Sequence, residues 1–337
     1  MTTSEKNTKQ VSTKDFENID VYWCAGCGHS GALMAILRWC VRKEVDPSQL
    51  VNSNGIGCSS KVGDAHRCNN HHWLHGRSLP IATAIKAVNP KLVVLDAGGD
   101  GDGAAIGAEH TLHTFRRNPD ITYFFLNNQV YGLTKGQIAP TGHKHLVTPT
   151  TPCGSREEPV DMCRLAITEG ATFVARAYSY DQNQLSLIVD RAFEHKGFSF
   201  VEILSPCPTY HREPDYDAIK DWYKDVIIDV GEAERAMQDA LIPAEIVAPN
   251  YNPSNKEQAL RAIEIAKNIT WQTISGMART TAMNGKLVAG ILYCEENKPT
   301  FEENIGVSLE HPIVELDLSH NSADNQAVFE QLTREFL

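Results

Sequence analysis

Apolar residues in this chain gather in short β-branched and aromatic runs separated by longer stretches with helical spacing. Lys91 to Leu95 (KLVVL), Ile121 to Leu126 (ITYFFL), Ala171 to Tyr178 (ATFVARAY) and Phe198 to Leu204 (FSFVEIL) read as buried strands. Gly31 to Val41 (GALMAILRWCV), Ala104 to Arg117 and Gln182 to His195 read as helices. Strands alternating with helices predict an α/β fold with a doubly wound, mostly parallel sheet. Such sheets bind ligands beyond the carboxyl ends of their strands, so the polar residues that follow the runs, Asp100, Asn128 and Cys207, become the first candidates for chemistry.

The pattern also divides the chain. Residues 1–17 are mostly polar, lack the apolar core of a signal peptide and read as a mobile arm. The strand and helix alternation fills 18–228. After Trp222 the patterning weakens, so a boundary is placed near 228, and 229–337 reads as an extension for packing or subunit contact, with a helix over Lys256 to Lys267. Hydrophobic residues make up 42% and charged residues 22%, and no apolar run approaches the ~20 residues that cross a bilayer. These features predict a soluble cytoplasmic protein with no membrane partner. A net charge of −11 argues against a nucleic-acid backbone as partner, because phosphates call for clustered Lys and Arg. Nine cysteines without an export signal favour metal ligation over disulfides for some of them.

Two polar loops follow strands. In Gly98-Gly99-Asp100-Gly101-Asp102-Gly103 the glycines permit a sharp turn and close approach to a phosphate, and Asp100 suits magnesium. The plainer reading is a helix start. Asn127-Asn128-Gln129-Val130-Tyr131-Gly132-Leu133-Thr134 again leaves a strand, and Asn128 with the Val130 carbonyl could complete the oxygen ligands. Cys24 and Cys27 form a Cys-x-x-Cys turn, Cys58 lies in a Gly-Ile-Gly-Cys loop, and Cys207 sits between Pro206 and Pro208. Four thiolates on irregular backbone suit an iron-sulfur cluster or a structural zinc, and the Cys-x-x-Cys pair alone suits a redox dithiol. Cys40, Cys68, Cys153, Cys163 and Cys294 fit no such set, and Cys40 and Cys163 read as buried packing thiols. The run His66, Cys68, His71, His72, His75 lacks regular metal-ligand spacing.

With Trp-Cys-x-Gly-Cys-Gly at Trp23 to Gly28, Gly-Ile-Gly-Cys-Ser-Ser at Gly55 to Ser60, His-Gly-Arg at His75 to Arg77, Gly-Asp-Gly-Asp at Gly99 to Asp102 and Tyr-Gly-Leu-Thr-Lys-Gly-Gln at Tyr131 to Gln137, the chain resembles the β subunits of 2-oxoacid:ferredoxin oxidoreductases over roughly 21–212. The stretches Tyr131 to Thr141 and Thr151 to Ser155 resemble the 2-oxoglutarate branch, with pyruvate and other 2-oxoacids left open. The resemblance implies a thiamine diphosphate-binding fold. Asp100, Asn128 and the Val130 carbonyl would hold Mg2+, while Gly99, Gly101, Asp102 and Gly132, Leu133 and Thr134 would line the diphosphate. Cys24, Cys27, Cys58 and Cys207 would hold one 4Fe-4S cluster, and His75 would approach the thiamine. Lys61 would face the substrate carboxylate, against the plain reading of a solvated lysine. Arg77 would meet an anionic part of substrate or coenzyme A, against a structural ion pair.

The implied reaction is oxidative decarboxylation of 2-oxoglutarate to succinyl-CoA, or its reductive reverse, with electrons passing through the cluster to ferredoxin. The carboxylate that activates the aminopyrimidine would come from an α subunit in an αβ heterodimer or (αβ)2 assembly. Two rivals remain at this level: a cluster-free thiamine decarboxylase or synthase, and a non-catalytic scaffold held by zinc.

Overall fold

The computed structural model describes residues 12–16, 23–211, 241–243, 251–268, 287–307 and 312–313. In chain order the strands are β1 (Leu50–Asn54), β2 (Asn69–His72), β3 (Val93–Gly99), β4 (Thr122–Asn127), β5 (Val130–Tyr131), β6 (Gln137–Ile138), β7 (Phe173–Tyr178), β8 (Ser199–Leu204), β9 (Leu241–Pro243) and β10 (Leu287–Cys294). The α-helices are α1 (Thr13–Phe16), α2 (His29–Arg42), α3 (Lys61–Ala65), α4 (Ser78–Val88), α5 (Ala108–Arg117), α6 (Met162–Glu169), α7 (Gln182–Glu194), α8 (Lys256–Asn268) and α9 (Phe301–Asn304). Among the described residues, eight strands form one sheet in the order β2-β1-β3-β4-β8-β7-β10-β9, and β5 pairs with β6 in a separate hairpin. Every neighbouring pair in the large sheet is parallel except β7 with β10. The doubly wound, mostly parallel architecture expected from the alternation is therefore present.

Alternate residues of each strand feed opposite faces. In β4, Tyr123 and Phe125 enter one core with residues of α4, α5, α6 and α8, whereas Phe124 and Leu126 enter a second core with residues of α1, α2, α3 and α7. The first core is aromatic: Phe115 meets Phe198 and Phe200 at centroid distances of 5.8 and 5.3 Å. Both faces of the central strands are covered, which explains their nearly continuous apolar runs.

Three features depart from the pattern read along the chain. β3 runs on through Asp96, Ala97, Gly98 and Gly99, beyond the five-residue apolar run, because β1 and β4 pair with those positions. The helix expected from Ala104 is split into a π-helical turn at Gly101–Ile106 and α5, with Gly107 between them. The arm of residues 1–17 ends in a docked helix, since Phe16 of α1 is buried in the second core and its carbonyl accepts the Arg67 amide at 2.6 Å. Residues before Ser12 lie outside the described residues, as does the boundary placed near 228. Beyond that boundary β10 joins the large sheet along β7, and α8 packs Ala259 and Ile263 into the first core.

Candidate active site

β1, β3 and β4 are parallel and in register, so the loops leaving them converge at one edge of the sheet. A cleft open to solvent lies there. Ile56, Gly57, Cys58 and Ser59 line it after β1, Gly99 to Asp102 after β3, and Asn128 with Val130 to Thr134 after β4. His75 and His29 complete its wall. Loops far apart in sequence thus share one cavity.

Asp100 is almost fully buried, and burial pushes its carboxyl up to about 7 against the hydrogen bonds that Thr141 and backbone amides donate. Such a carboxyl gains a strong partner in a cation. Asn128 Oδ1 accepts the Val130 amide at 3.1 Å, and this local turn sets the Asn128 side chain at the cleft. Asp100, Asn128 and the Val130 carbonyl form an all-oxygen donor set of the kind a hard divalent cation takes. The residues present therefore fit a magnesium ion.

The glycines and Asp102 serve partly another purpose. A Cβ at Gly103 would lie 2.1 Å from Tyr123 Oη, and one at Gly101 would lie 2.3 Å from Tyr131 Cε1. Much of the demand for glycine comes from these two tyrosines rather than from a ligand alone. Asp102, itself in the cleft wall, acts as a clamp: its Oδ1 accepts the amides of Ile56 at 3.0 Å and Gly76 at 2.8 Å. His75 Nδ1 lies 2.6 Å from the same oxygen, off the line of a hydrogen bond, and its ring meets Tyr131 edge-on at 6.3 Å. Asp102 thereby ties the loops after β1 and β2 to the turn after β3.

Arg77 is not brought into the cleft wall. Its guanidinium donates to the Ile106 carbonyl at 2.9 Å and lies 3.5 Å from Glu109 Oε1. Lys61 also stands outside the lining, at the first turn of α3, where its charge favours the Cys58 thiolate. Thr134 reaches the cleft edge with its hydroxyl turned to the Gln137 side chain. Leu133 beside it is exposed.

The four cysteines of interest sit outside helices and strands. Cys24 and Cys27 close a turn, with the Cys27 amide donating to the Cys24 carbonyl at 3.0 Å. The Gly28 amide bonds the Pro206 carbonyl at 3.2 Å, which brings the Cys207 loop against that turn. Trp23 Nε1 donates to the Cys58 carbonyl at 2.8 Å and draws in the third loop. Burial pushes the Cys27 thiol up to about 12, and Cys207, Cys58 and Cys24 are near enough for their charges to push the same way. Burial raises Cys58 too, with Lys61 and Lys135 opposing it and Cys207 and Cys24 adding to it. Cys58 belongs both to this thiol group and to the cleft wall, so the two sites adjoin. Cys40 and Cys163 are fully buried in α2 and α6, as packing thiols should be.

Sequence reasoning passed over His29, Tyr131 and Thr141. His29 starts α2, is buried at the cleft, and burial pushes its imidazole down to about 4, so it is neutral near pH 7. Its adjacency to Cys27 and Gly28 was the available signal. Thr141 ends the Tyr131 to Thr141 motif without any sign there of its partners, which lie 14 and 41 residues away.

Comparison with known proteins bears on this geometry. Residues 55–203 match the family model described as the thiamine pyrophosphate enzyme, C-terminal TPP binding domain. The chain is 35% identical over 288 residues to 2-oxoacid:ferredoxin oxidoreductase 2, subunit beta, of Aeropyrum pernix, covering 85% of this chain and 84% of that one. This chain belongs to the 2-oxoacid:ferredoxin oxidoreductase β-subunit family. As a member it is one subunit of an oxidoreductase that needs a partner subunit. It is also 39% identical over 204 residues to the 2-oxoglutarate synthase subunit KorB of Archaeoglobus fulgidus, covering 60% of this chain and 76% of that one. A 2-oxoglutarate:ferredoxin oxidoreductase from Magnetococcus marinus, solved with 2-oxoglutarate, coenzyme A and succinyl-CoA bound, superposes with a TM-score of 0.73 at 28% identity. That match covers 96% of this chain and 97% of the other.

Proposed function

We propose that this β subunit serves the coenzyme A-dependent oxidative decarboxylation of 2-oxoglutarate to succinyl-CoA, or its reductive reverse, with electrons leaving through one 4Fe-4S cluster to ferredoxin. The observation that carries the reading is the shared wall: Cys58 stands in the same cleft as Asp100, Asn128 and Val130. Chemistry at the cleft and electron removal at the thiols would then take place side by side.

Thiamine diphosphate, when bound, supplies the carbanion-stabilising chemistry, and the protein supplies binding, orientation and electrostatics. Asp100, Asn128 and the Val130 carbonyl would hold Mg2+ against the diphosphate, with Gly99, Gly101 and Gly132 to Thr134 along it. The neutral His29 imidazole and His75 face the cleft without adding fixed charge from His29. Lys61 would attract the carboxylate of the 2-oxoacid from beside Cys58. Arg77, already committed to Ile106 and Glu109, is assigned to holding the loop rather than to a ligand.

Cys24, Cys27, Cys58 and Cys207 would ligate the cluster. The four thiols lie close enough to influence one another, and four thiolates on irregular loops suit a 4Fe-4S cluster. The rim favours a partner: Ile56 and Leu133 line the cleft and are exposed, and Leu74, next in the chain to His75 of the cleft wall, is exposed too. An α subunit covering it would complete the site in an αβ or (αβ)2 assembly. Residues 18–228 would form the cofactor domain and 229–337 its extension. No described helix is long and apolar enough to cross a membrane, in keeping with action in the cytoplasm.

Relatives named for 2-oxoglutarate and a structural neighbour solved with it support that substrate. The test is anaerobic purification with the partner subunit, assay of iron, sulfide, zinc and thiamine diphosphate, and reduction by 2-oxoglutarate or pyruvate with coenzyme A. Iron and sulfide near four per chain, with reduction by 2-oxoglutarate, is expected. Zinc without sulfide would leave the scaffold reading, thiamine without iron the cluster-free enzyme, and reduction by pyruvate alone another 2-oxoacid.

A further inference from the structure

A chain of buried polar groups runs from Asp100 into the protein. Asp100 Oδ2 lies 2.8 Å from Thr141 Oγ1, and the same hydroxyl lies 2.8 Å from Asn127 Oδ1. One hydroxyl proton can serve only one acceptor at a time. Asn127 Oδ1 already accepts the Gln129 amide at 3.1 Å, so the proton is available to Asp100 Oδ2, which, once a cation holds the carboxylate, can only accept. Asn127 Nδ2 donates to Glu202 Oε1 at 2.7 Å. Rotating that amide by half a turn would set its NH2 against the Gln129 N–H and its carbonyl against a carboxylate, so its orientation is determined by its neighbours.

The far end is anchored across β7 and β8, where Arg176 and Glu202 are register partners. Arg176 Nε donates to Glu202 Oε2 at 2.6 Å, and its Nη2 donates to Asp161 Oδ1 at 2.9 Å. Asp161 in turn caps α6 by accepting the Arg164 amide at 3.1 Å. Asp100, Thr141, Asn127, Glu202 and Arg176 are all less than 7% exposed, so no bulk water competes along the path.

We propose that Thr141 is a positioning residue for the cation site: its hydroxyl occupies Asp100 Oδ2, fixes the carboxylate rotamer and leaves Oδ1 to meet the cation. Asn127, held by Glu202 and Arg176, bounds the hydroxyl on its other side at 2.8 Å, so the hydroxyl has a second acceptor only when Asp100 does not take its proton. The first Asn of the Asn-Asn pair thus faces the core, and the second faces the cleft. The inference rests on the reading of Asp100 as a cation ligand. Hydrogen-bond partners of metal ligands typically change metal affinity or activity by about 10- to 100-fold when removed.

The test measures binding directly. The full chain with its partner subunit is loaded with thiamine diphosphate and titrated with Mn2+ as a magnesium substitute, and free Mn2+ is followed by EPR. Thr141→Ser keeps the hydroxyl, Thr141→Val keeps the volume, and Thr141→Ala keeps neither. The expected order of affinity is wild type close to Ser, with Val and Ala weaker by about 10- to 100-fold. A packing role would group Val with wild type and Ser with Ala, and that order would overturn the proposal. If Thr141→Val does not assemble, Thr141→Ser against the near-isosteric Thr141→Cys, a poor donor, decides the same point. Wild-type complex that takes up no Mn2+ with thiamine diphosphate would overturn the Asp100 reading itself. Tight binding by wild type and Thr141→Val alike would overturn the Thr141 role alone.

Discussion

At the residue scale, the chemistry of this protein depends on which polar side chains are taken out of water and what meets them. His66 is fully buried against Cys40 Sγ at 3.5 Å and Phe16 at a ring distance of 6.2 Å. Burial pushes its imidazole from 6.5 down to about 4. A folded-state value below the unfolded one means that His66 contributes fully above about pH 6.5 and that this contribution is lost as pH falls through about 4. At about 1.4 kcal/mol per pH unit the loss approaches ~3 kcal/mol. Urea unfolding at pH 7 and pH 4.5 should therefore show a steeper fall for wild type than for His66→Phe. Equal slopes would mean that His66 is protonated or solvated in the folded chain. Lys61→Ala should raise KM for the 2-oxoacid about tenfold or more, the worth of a hydrogen bond between charged partners. Its iron content should stay unchanged. A normal KM would return Lys61 to the role of a surface charge tuning Cys58.

At the element scale, β7, β8 and α6 are joined by Arg176 between Glu202 and Asp161. Replacing Arg176 with Met leaves two buried acidic groups without their counter-ion, a change that typically costs about 3–5 kcal/mol. Denaturant unfolding of the metal-free chain measures it, and a cost under ~1 kcal/mol would show that the pair is dispensable to the fold. The start of α7 offers a smaller test. Asp181 accepts the amides of Asn183 at 3.2 Å and Gln184 at 3.1 Å, so Asp181→Ala should cost about 1 kcal/mol. Elements of this kind differ in how openly the sequence shows them. β4, β7 and β8 are visible because both faces are buried and most positions carry apolar or β-branched residues, with Asn127, Arg176, Ser199 and Glu202 the polar exceptions. β1 is hidden: Asn52, Ser53 and Asn54 are fully buried yet polar. The burial of Ser53 and Asn54 depends on partners found elsewhere: the Ser78 carbonyl lies 3.1 Å from Ser53 Oγ, and Asn70 lies 2.6 Å from Asn54.

At the scale of the whole molecule, the thiol group borders the cleft through Cys58. Cys207→Ala should lower iron and sulfide in the anaerobically purified complex while Mg2+-dependent thiamine diphosphate binding persists, because Cys207 is not in the cleft wall. Asp100→Ala should do the converse. If both variants lost both cofactors, the two sites would be one cooperative unit rather than neighbours. The exposed apolar rim predicts that the chain alone turns over no substrate and that adding the partner subunit restores activity.

The sequence by itself determined the elements with strong periodicity, the α/β class and the residue types on the strand-end loops. Each of these is local: a buried strand, a glycine turn and a Cys-x-x-Cys announce themselves within a few positions. It also carried, through motif order, the likeness to the family that comparison then established. Only the tertiary structure decided what each polar group faces. Asp102 went to the amides of Ile56 and Gly76, Arg77 to a carbonyl 29 residues away, and Thr141 to Asp100. Tertiary structure likewise brought β10, from beyond the expected boundary, alongside β7. Hydrogen bonds and charges act over a few ångströms, while the groups they join lie tens of residues apart, so their pairing exists only once strand order has brought the loops together.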